Sequence, residues 1–273
     1  MKKIIYDLGA SIGENLSYYL LKSDLVIAVE ANKKSCELIK KKFNNQIIQK
    51  KLIVENCIIS DEDSLKDEFY IHKTNHLLSQ FPKPKYSLID NFEKVMIEKK
   101  DIYKLINQYG SPYYIKIDLE EYDNIILKRI FDLNINPEYI SAEAINYIVI
   151  NLFLNNKNYN SYKLVEGKNV GIAYKKTKLN INNQKYTYSF PENSAGPFGN
   201  DILGKWINKK NFNEFMKFKK QGWRDIHVSL RDEPENIDNI SSYVKLEKKL
   251  EKKVKLIRRF NRFKSKFNFF KND

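Results

Sequence analysis

The stretch Lys3-Ile4-Ile5-Tyr6-Asp7-Leu8-Gly9-Ala10-Ser11-Ile12-Gly13-Glu14, followed by Leu16, Tyr19 and Leu20 at helical spacing and then by Leu25-Val26-Ile27-Ala28-Val29-Glu30, decides the fold. It reads as a strand, a glycine turn, a helix, a second strand and an acid. In an open α/β sheet this order builds a nucleotide crevice at the carboxyl ends of the strands. Glu30, at the end of the second strand, is placed to accept hydrogen bonds from ribose hydroxyls.

The turn also selects among nucleotides. A dinucleotide fingerprint needs a second glycine so that backbone can approach a pyrophosphate. Here Ser11 holds that position. Glu14 lies in the first turn of the following helix and Asp7 just before the loop, so negative charge stands where a phosphate would otherwise bind. The site suits a ribose-bearing, phosphate-free and preferably cationic cofactor, and S-adenosyl-L-methionine fits that description. The plainer alternative is a tight turn in a cofactor-free α/β domain.

Working outward, apolar runs predict strands near 3–8, 25–30, 51–59, 66–72, 93–98, 112–118, 138–143, 162–166 and 170–176. Helical periodicity predicts helices near 14–22, 32–43, 101–109, 121–131 and 145–155. Alternation over residues 1–176 implies a doubly wound, mostly parallel sheet. Residues 177–242 are rich in Asn, Gly, Pro and aromatics and are expected to form a cap over the sheet's carboxyl edge. From Tyr243 the positions Leu246, Leu250, Val254, Ile257, Phe260, Phe263, Phe267 and Phe270 recur every three or four residues among Lys and Arg. Residues 243–273 thus read as a basic amphipathic helix. Three roles fit it: packing on the body or on a partner protein, docking on an anionic membrane surface, or binding nucleic acid.

Charge location weighs against the last. The net charge is +14, but the 12 Lys/Arg and 3 Asp/Glu of residues 243–273 supply +9 of it, leaving +5 for the rest. Basicity is mainly a property of the tail, and nucleic acid is not the expected partner of the body. No run of about 18 apolar residues is present, so no membrane-spanning helix is expected. The N-terminal residues are too few and too polar for a signal peptide. Cys36 and Cys57, without framework spacing, fit a reducing compartment. The expected location is cytoplasmic, with the tail allowing attachment to the inner face of the membrane. No zinc-type spacing occurs.

Several segments together resemble the FkbM family of S-adenosylmethionine-dependent O-methyltransferases. They are Tyr6 to Asn15, Val26 to Asn32, Asn56-Cys57-Ile58-Ile59-Ser60-Asp61, Lys104 to Gly110 with Ile115-Lys116-Ile117-Asp118-Leu119-Glu120, and Ile140-Ser141-Ala142-Glu143. Glu121 stands where that family usually has Gly, Ser11 where it usually has Asn, and Ala31 where it often has Pro. The resemblance implies a seven-stranded class I methyltransferase sheet and methyl transfer to oxygen, often on a sugar. It implies cofactor-binding roles for Asp7, Gly9, Ala10, Ser11, Gly13, Glu30, Ala31, Cys57 and Asp118. Cys57, in an apolar strand, also reads simply as core.

Methyl transfer is an in-line displacement that needs an aligned acceptor oxygen and a group to take its proton. Asp118 and Glu120 end a central strand two residues apart, and Glu143 ends the next. Such carboxylates could bind the acceptor, act as base, grip the cofactor's amino group or hold a divalent cation. His227, with Asp225 two residues before it, is the other candidate base; a hydrogen-bonded histidine inside the cap is the plain alternative. His72 and His76 border a loop. Trp206, Trp223 and Phe198 could stack on a sugar or simply pack. The expected acceptor is a glycan or nucleotide sugar of a surface polysaccharide. The rivals are an RNA methyltransferase, disfavoured by the absence of an amino-methylation motif, and a non-catalytic scaffold with the same fold.

Overall fold

The computed structural model describes residues 2–260 except 145–146, 182, 218, 220–221, 236–243, 246–247 and 250. In chain order the elements begin β1 (Ile4–Leu8), α1 (Leu16–Lys22), β2 (Leu25–Val29), α2 (Lys33–Lys42), α3 (Asn44–Ile48), β3 (Leu52–Glu55), β4 (Ile58–Ser60), β5 (Ser64–His72), β6 (Phe92–Asp101) and α4 (Ile102–Tyr109). They continue with β7 (Tyr114–Ile117), α5 (Asp123–Asp132), β8 (Tyr139–Glu143), α6 (Tyr147–Asn155), β9 (Ser161–Glu166) and α7 (Val170–Ala173). The last are β10 (Thr177–Ile181), β11 (Gln184–Tyr188), β12 (Ile207–Asn208), α8 (Lys209–Lys217), β13 (Arg224–Ser229) and a helix over 251–260, here α9.

The main sheet has eight strands in the order β12-β9-β13-β8-β7-β1-β2-β3, not the expected seven. Its central pairs are parallel, whereas β13 runs antiparallel between β8 and β9, and β12 antiparallel at the edge. The buried strands alternate between two cores, because successive side chains point to opposite faces. Tyr6, Ile27, Ile115, Ile140 and Ile226 face α4, α5, α6 and α8. Ile5, Val26, Tyr114 and Tyr139 face α1, α2 and the aromatic segment around Phe190, Phe198 and Trp206.

Three expectations need correction. Residues 51–59 are not one strand: the chain turns at Asn56-Cys57, sending β3 to the main sheet and β4 to a separate β4-β6-β5 sheet. Residues 170–176 are helical and turn residues, with Val170 packed inward. Residues 177–242 are not wholly a cap, since β12 and β13 lie inside the main sheet. The sequence of β13, Arg-Asp-Ile-His-Val-Ser, alternates polar and apolar as an exposed edge would, yet all six residues are buried. Its polar face is covered by the aromatic segment instead of by water. There Phe198 stacks on Tyr114 at 4.1 Å and 13°, and Trp206 stacks on Tyr139. Phe198 and Trp206 are therefore core aromatics. Among the described residues no helix is long and apolar enough to cross a membrane.

Candidate active site

The glycine turn after β1 brings three strand ends together. Gly9 N–H and Ala10 N–H both donate to Val29 O at 3.0 Å, tying the loop to the end of β2. Gly9 has φ +79°, and a Cβ there would stand 1.8 Å from Asp118 O. Only glycine lets this loop lie against the end of β7. Ser11 also takes a left-handed φ, 49°, which points its N–H at Glu30.

Glu30 accepts from Ser11 N–H through Oε2 at 2.8 Å and from Asn32 N–H through Oε1 at 2.7 Å. Asn32 also caps α2, its side chain accepting from Lys34 N–H. Burial pushes the Glu30 carboxyl up to about 7, and the two backbone N–H groups work against that rise. Each Glu30 oxygen keeps a further lone pair for a hydroxyl donor.

Beyond β7 the backbone bends through two consecutive left-handed residues, Glu120 (φ 43°) and Glu121 (φ 65°). Non-glycine residues adopt this conformation at a cost of about 1 kcal/mol each, and such strain collects at functional sites. This bend, not strand alternation, turns Glu120 back beside Asp118. Asp118, Glu120 and Glu143 place carboxylate oxygens within 4.8 Å of one another. Burial, then the charge of Asp118, raises Glu120 to about 8 and Glu143 to about 10. Asp123 is raised to about 7 for the same two reasons. The three clustered oxygens are also the donor type a divalent cation would use.

The Lys116 ammonium holds this acidic floor. Lys116 Nζ donates to Gly9 O at 2.8 Å and stands 3.3 Å from Asp7 and 3.2 Å from Asp118. Burial opposes its charge, yet Asp118 and Asp7 carry its pKa well above the ordinary lysine value. Asp7 itself is fully buried and raised to about 6, by burial first and with Lys116 pulling the other way.

These groups line one cavity. Its apolar wall comes from Ala31, Ile58, Phe69 and Phe81, which pack as one cluster. His76, Leu77 and Ser79 line it from the loop between β5 and β6, and Asn193 and Trp223 line it as well. Trp223 lies flat on Gly167, where a Cβ would meet its ring at 2.4 Å. Its four carboxylates, Glu30, Asp118, Glu120 and Glu143, are accompanied by no Lys or Arg among the described lining residues.

Of the residues expected at the site, Gly9, Ser11, Glu30, Ala31, Cys57, Asp118, Glu120 and Glu143 line the cavity. Asp7, Ala10 and Gly13 do not. They build the loop from beneath, Gly13 at φ +82° packing against Leu16 and Phe43. His227 is a clear departure. It sits in β13, 1% exposed, with neither ring nitrogen hydrogen bonded. It stacks at 6.5 Å on Tyr114, and burial with the nearby Lys163 charge drives it down to about 3. A neutral, enclosed imidazole outside the cavity cannot serve as its base. His76 is the imidazole that does reach the cavity. The wall from β4 to β6 was not legible as part of the site, because Phe69, Ser79 and Phe81 converge only through the β5–β6 pairing and the Tyr70–Gln80 bridge.

No family model matches this chain, and no curated protein matches it. Among solved structures it is similar to methyltransferase FkbM from Methylobacillus flagellatus KT at 14% identity and TM-score 0.40, covering 60% of this chain and 40% of that one. It is also similar to precorrin-6y C5,15-methyltransferase from Geobacter metallireducens GS-15 at 10% identity and TM-score 0.36, covering 83% and 78%. A third likeness is to aTrm5 in its complex with tRNALeu, at 12% identity and TM-score 0.33, covering 60% and 37%. The chain spans less than half the length of the first and third of these proteins.

Proposed function

We propose that this protein is an S-adenosylmethionine-dependent methyltransferase acting on an oxygen, with a sugar hydroxyl of a glycan or nucleotide sugar as acceptor. The observation that carries the reading is the cavity lining: four carboxyl groups with no Lys or Arg among the described lining residues, one of them, Glu30, held at a β-strand end by two backbone N–H groups. Such a lining offers a pyrophosphate no cation to pair with, and its carboxyls can give up protons to pair with ammonium and sulfonium charge. The same argument disfavours a polynucleotide acceptor, whose phosphates would find no cation in the lining.

Glu30 would hold the ribose. The Ala31, Ile58, Phe69 and Phe81 wall would hold the base. The Asp118 end of the cavity would receive the cationic amino-acid portion. When bound, the donor supplies an electrophilic methyl group on sulfur. The chain's own task is to align the acceptor hydroxyl and remove its proton. Glu120 is the group for the proton, since it lines the cavity with a pKa raised to about 8, near the range where a general base works. Trp223 offers a flat face, anchored on Gly167, for the apolar side of a sugar ring.

The test is titration calorimetry with S-adenosylmethionine and with NAD, followed by transfer of labelled methyl to glycan and nucleotide-sugar pools. Binding of the first ligand alone, with label recovered in sugar, is expected. Preference for NAD would refute the cofactor assignment. Label in RNA alone would refute the acceptor.

A further inference from the structure

Helix α9 is bound to the body by one stripe and leaves a different kind of surface facing out. Val254 is 4% exposed, Glu251 pairs with Lys219 at 3.5 Å, and Arg258 donates to Lys168 O. At 100° per residue, 251, 254 and 258 share that inner side. The outer side carries Leu256, 66% exposed, and Phe260, 68% exposed, one turn apart. On the same wheel Lys252, Arg259 and Lys253 flank them and Lys255 lies between them and the inner stripe, all four exposed. The one acid among residues 251–260, Glu251, is engaged with the body.

We infer that this outer face of α9 docks on an anionic lipid bilayer. Two large exposed apolar side chains on a helix that also exposes four cations match an interface with negative headgroups above an apolar layer. A nucleic acid would satisfy the cations and leave Leu256 and Phe260 in water. A second copy of this chain would bring +14 against +14. In the sequence the 256–260 spacing continues through Phe263, Phe267 and Phe270, which lie outside the described residues. The inference does not depend on the cofactor.

The test is co-sedimentation of the full chain with vesicles of pure phosphatidylcholine and with vesicles in which about a third of the lipid is phosphatidylserine. Binding is expected to the second only, and to weaken with salt. The double variant L256A/F260A should bind at least about tenfold more weakly, since it removes two buried apolar groups. The quadruple variant K252Q/K253Q/K255Q/R259Q should lose more than about a hundredfold, at roughly fivefold per charge. All of these residues are exposed, so melting temperatures should stay unchanged, which separates lost docking from lost folding. The inference is overturned by absence of binding to phosphatidylserine vesicles at low salt, or by binding that neither variant alters. It is equally overturned by light scattering that shows a dimer dissolved by L256A/F260A, or by RNA binding that needs the four cations while vesicles are ignored.

Discussion

The raised carboxyls of the cavity make cofactor binding a proton-releasing event. With the site empty, Glu120 at about 8 and Glu143 at about 10 each hold a proton at neutral pH. A cation entering beside them favours the ionised form, so at least one proton must leave. Affinity then rises about tenfold per pH unit for each proton released, until the pH passes the carboxyl's own value. Between pH 6 and 8 one proton from Glu120 is worth about a hundredfold in Kd. Calorimetry of S-adenosylmethionine binding in two buffers of different ionisation enthalpy counts the protons directly. Glu120→Gln has no proton to give, so it should lower both the count and the slope by one. A Kd that stays flat across this range, with no proton released, would refute the electrostatic account of the site.

Four further outcomes are expected. Gly9→Ala sets a Cβ 1.8 Å from Asp118 O at a left-handed φ, so it should lower the melting temperature sharply and abolish cofactor binding by calorimetry. Glu30→Gln replaces one accepting oxygen with an NH2 donor that faces a backbone N–H and leaves it without its acceptor, and should weaken the cofactor about ten- to a hundredfold. His227→Leu replaces a buried imidazole that makes no hydrogen bond, so methyl transfer and melting temperature should barely change; a tenfold activity loss would return His227 to the mechanism. The folded carboxyls of Asp7 (about 6), Asp123 (about 7) and Glu120 (about 8) lie above unfolded values near 4. Their stabilising effect is complete below the unfolded values and is lost as pH rises through 6 to 8. The melting temperature of the ligand-free protein, followed by calorimetry, should therefore fall over that range.

Legibility followed locality. The βαβ opening, the Gly9 turn and Glu30 were readable, because strand, loop and acid are joined by short segments whose geometry sequence dictates. Asp118 and Glu143 were readable as strand ends on neighbouring strands. Glu120 stands beside Asp118 by a route that strand alternation does not supply: the left-handed pair at 120–121 delivers it, where a glycine would have announced the bend. His227 misled because a histidine beside an acid resembles a base. Its surroundings are fixed by β8, β9 and Tyr114, all distant in sequence. His76 and Phe81 carried no local signal, because the β5–β6 hairpin alone swings them to the cavity.

Strand β13 has a consequence for how the chain is made. It fills the gap between β8 and β9, and both of those are complete by residue 166. A ribosome that has exported residues 1–176 has therefore released a half-zipped ladder with Ile140, Ala142 and Leu164 lacking their middle partner. Such open edges invite strangers. Expression of residues 1–176 by themselves will yield aggregate, and productive folding of the nascent chain must await Ser229.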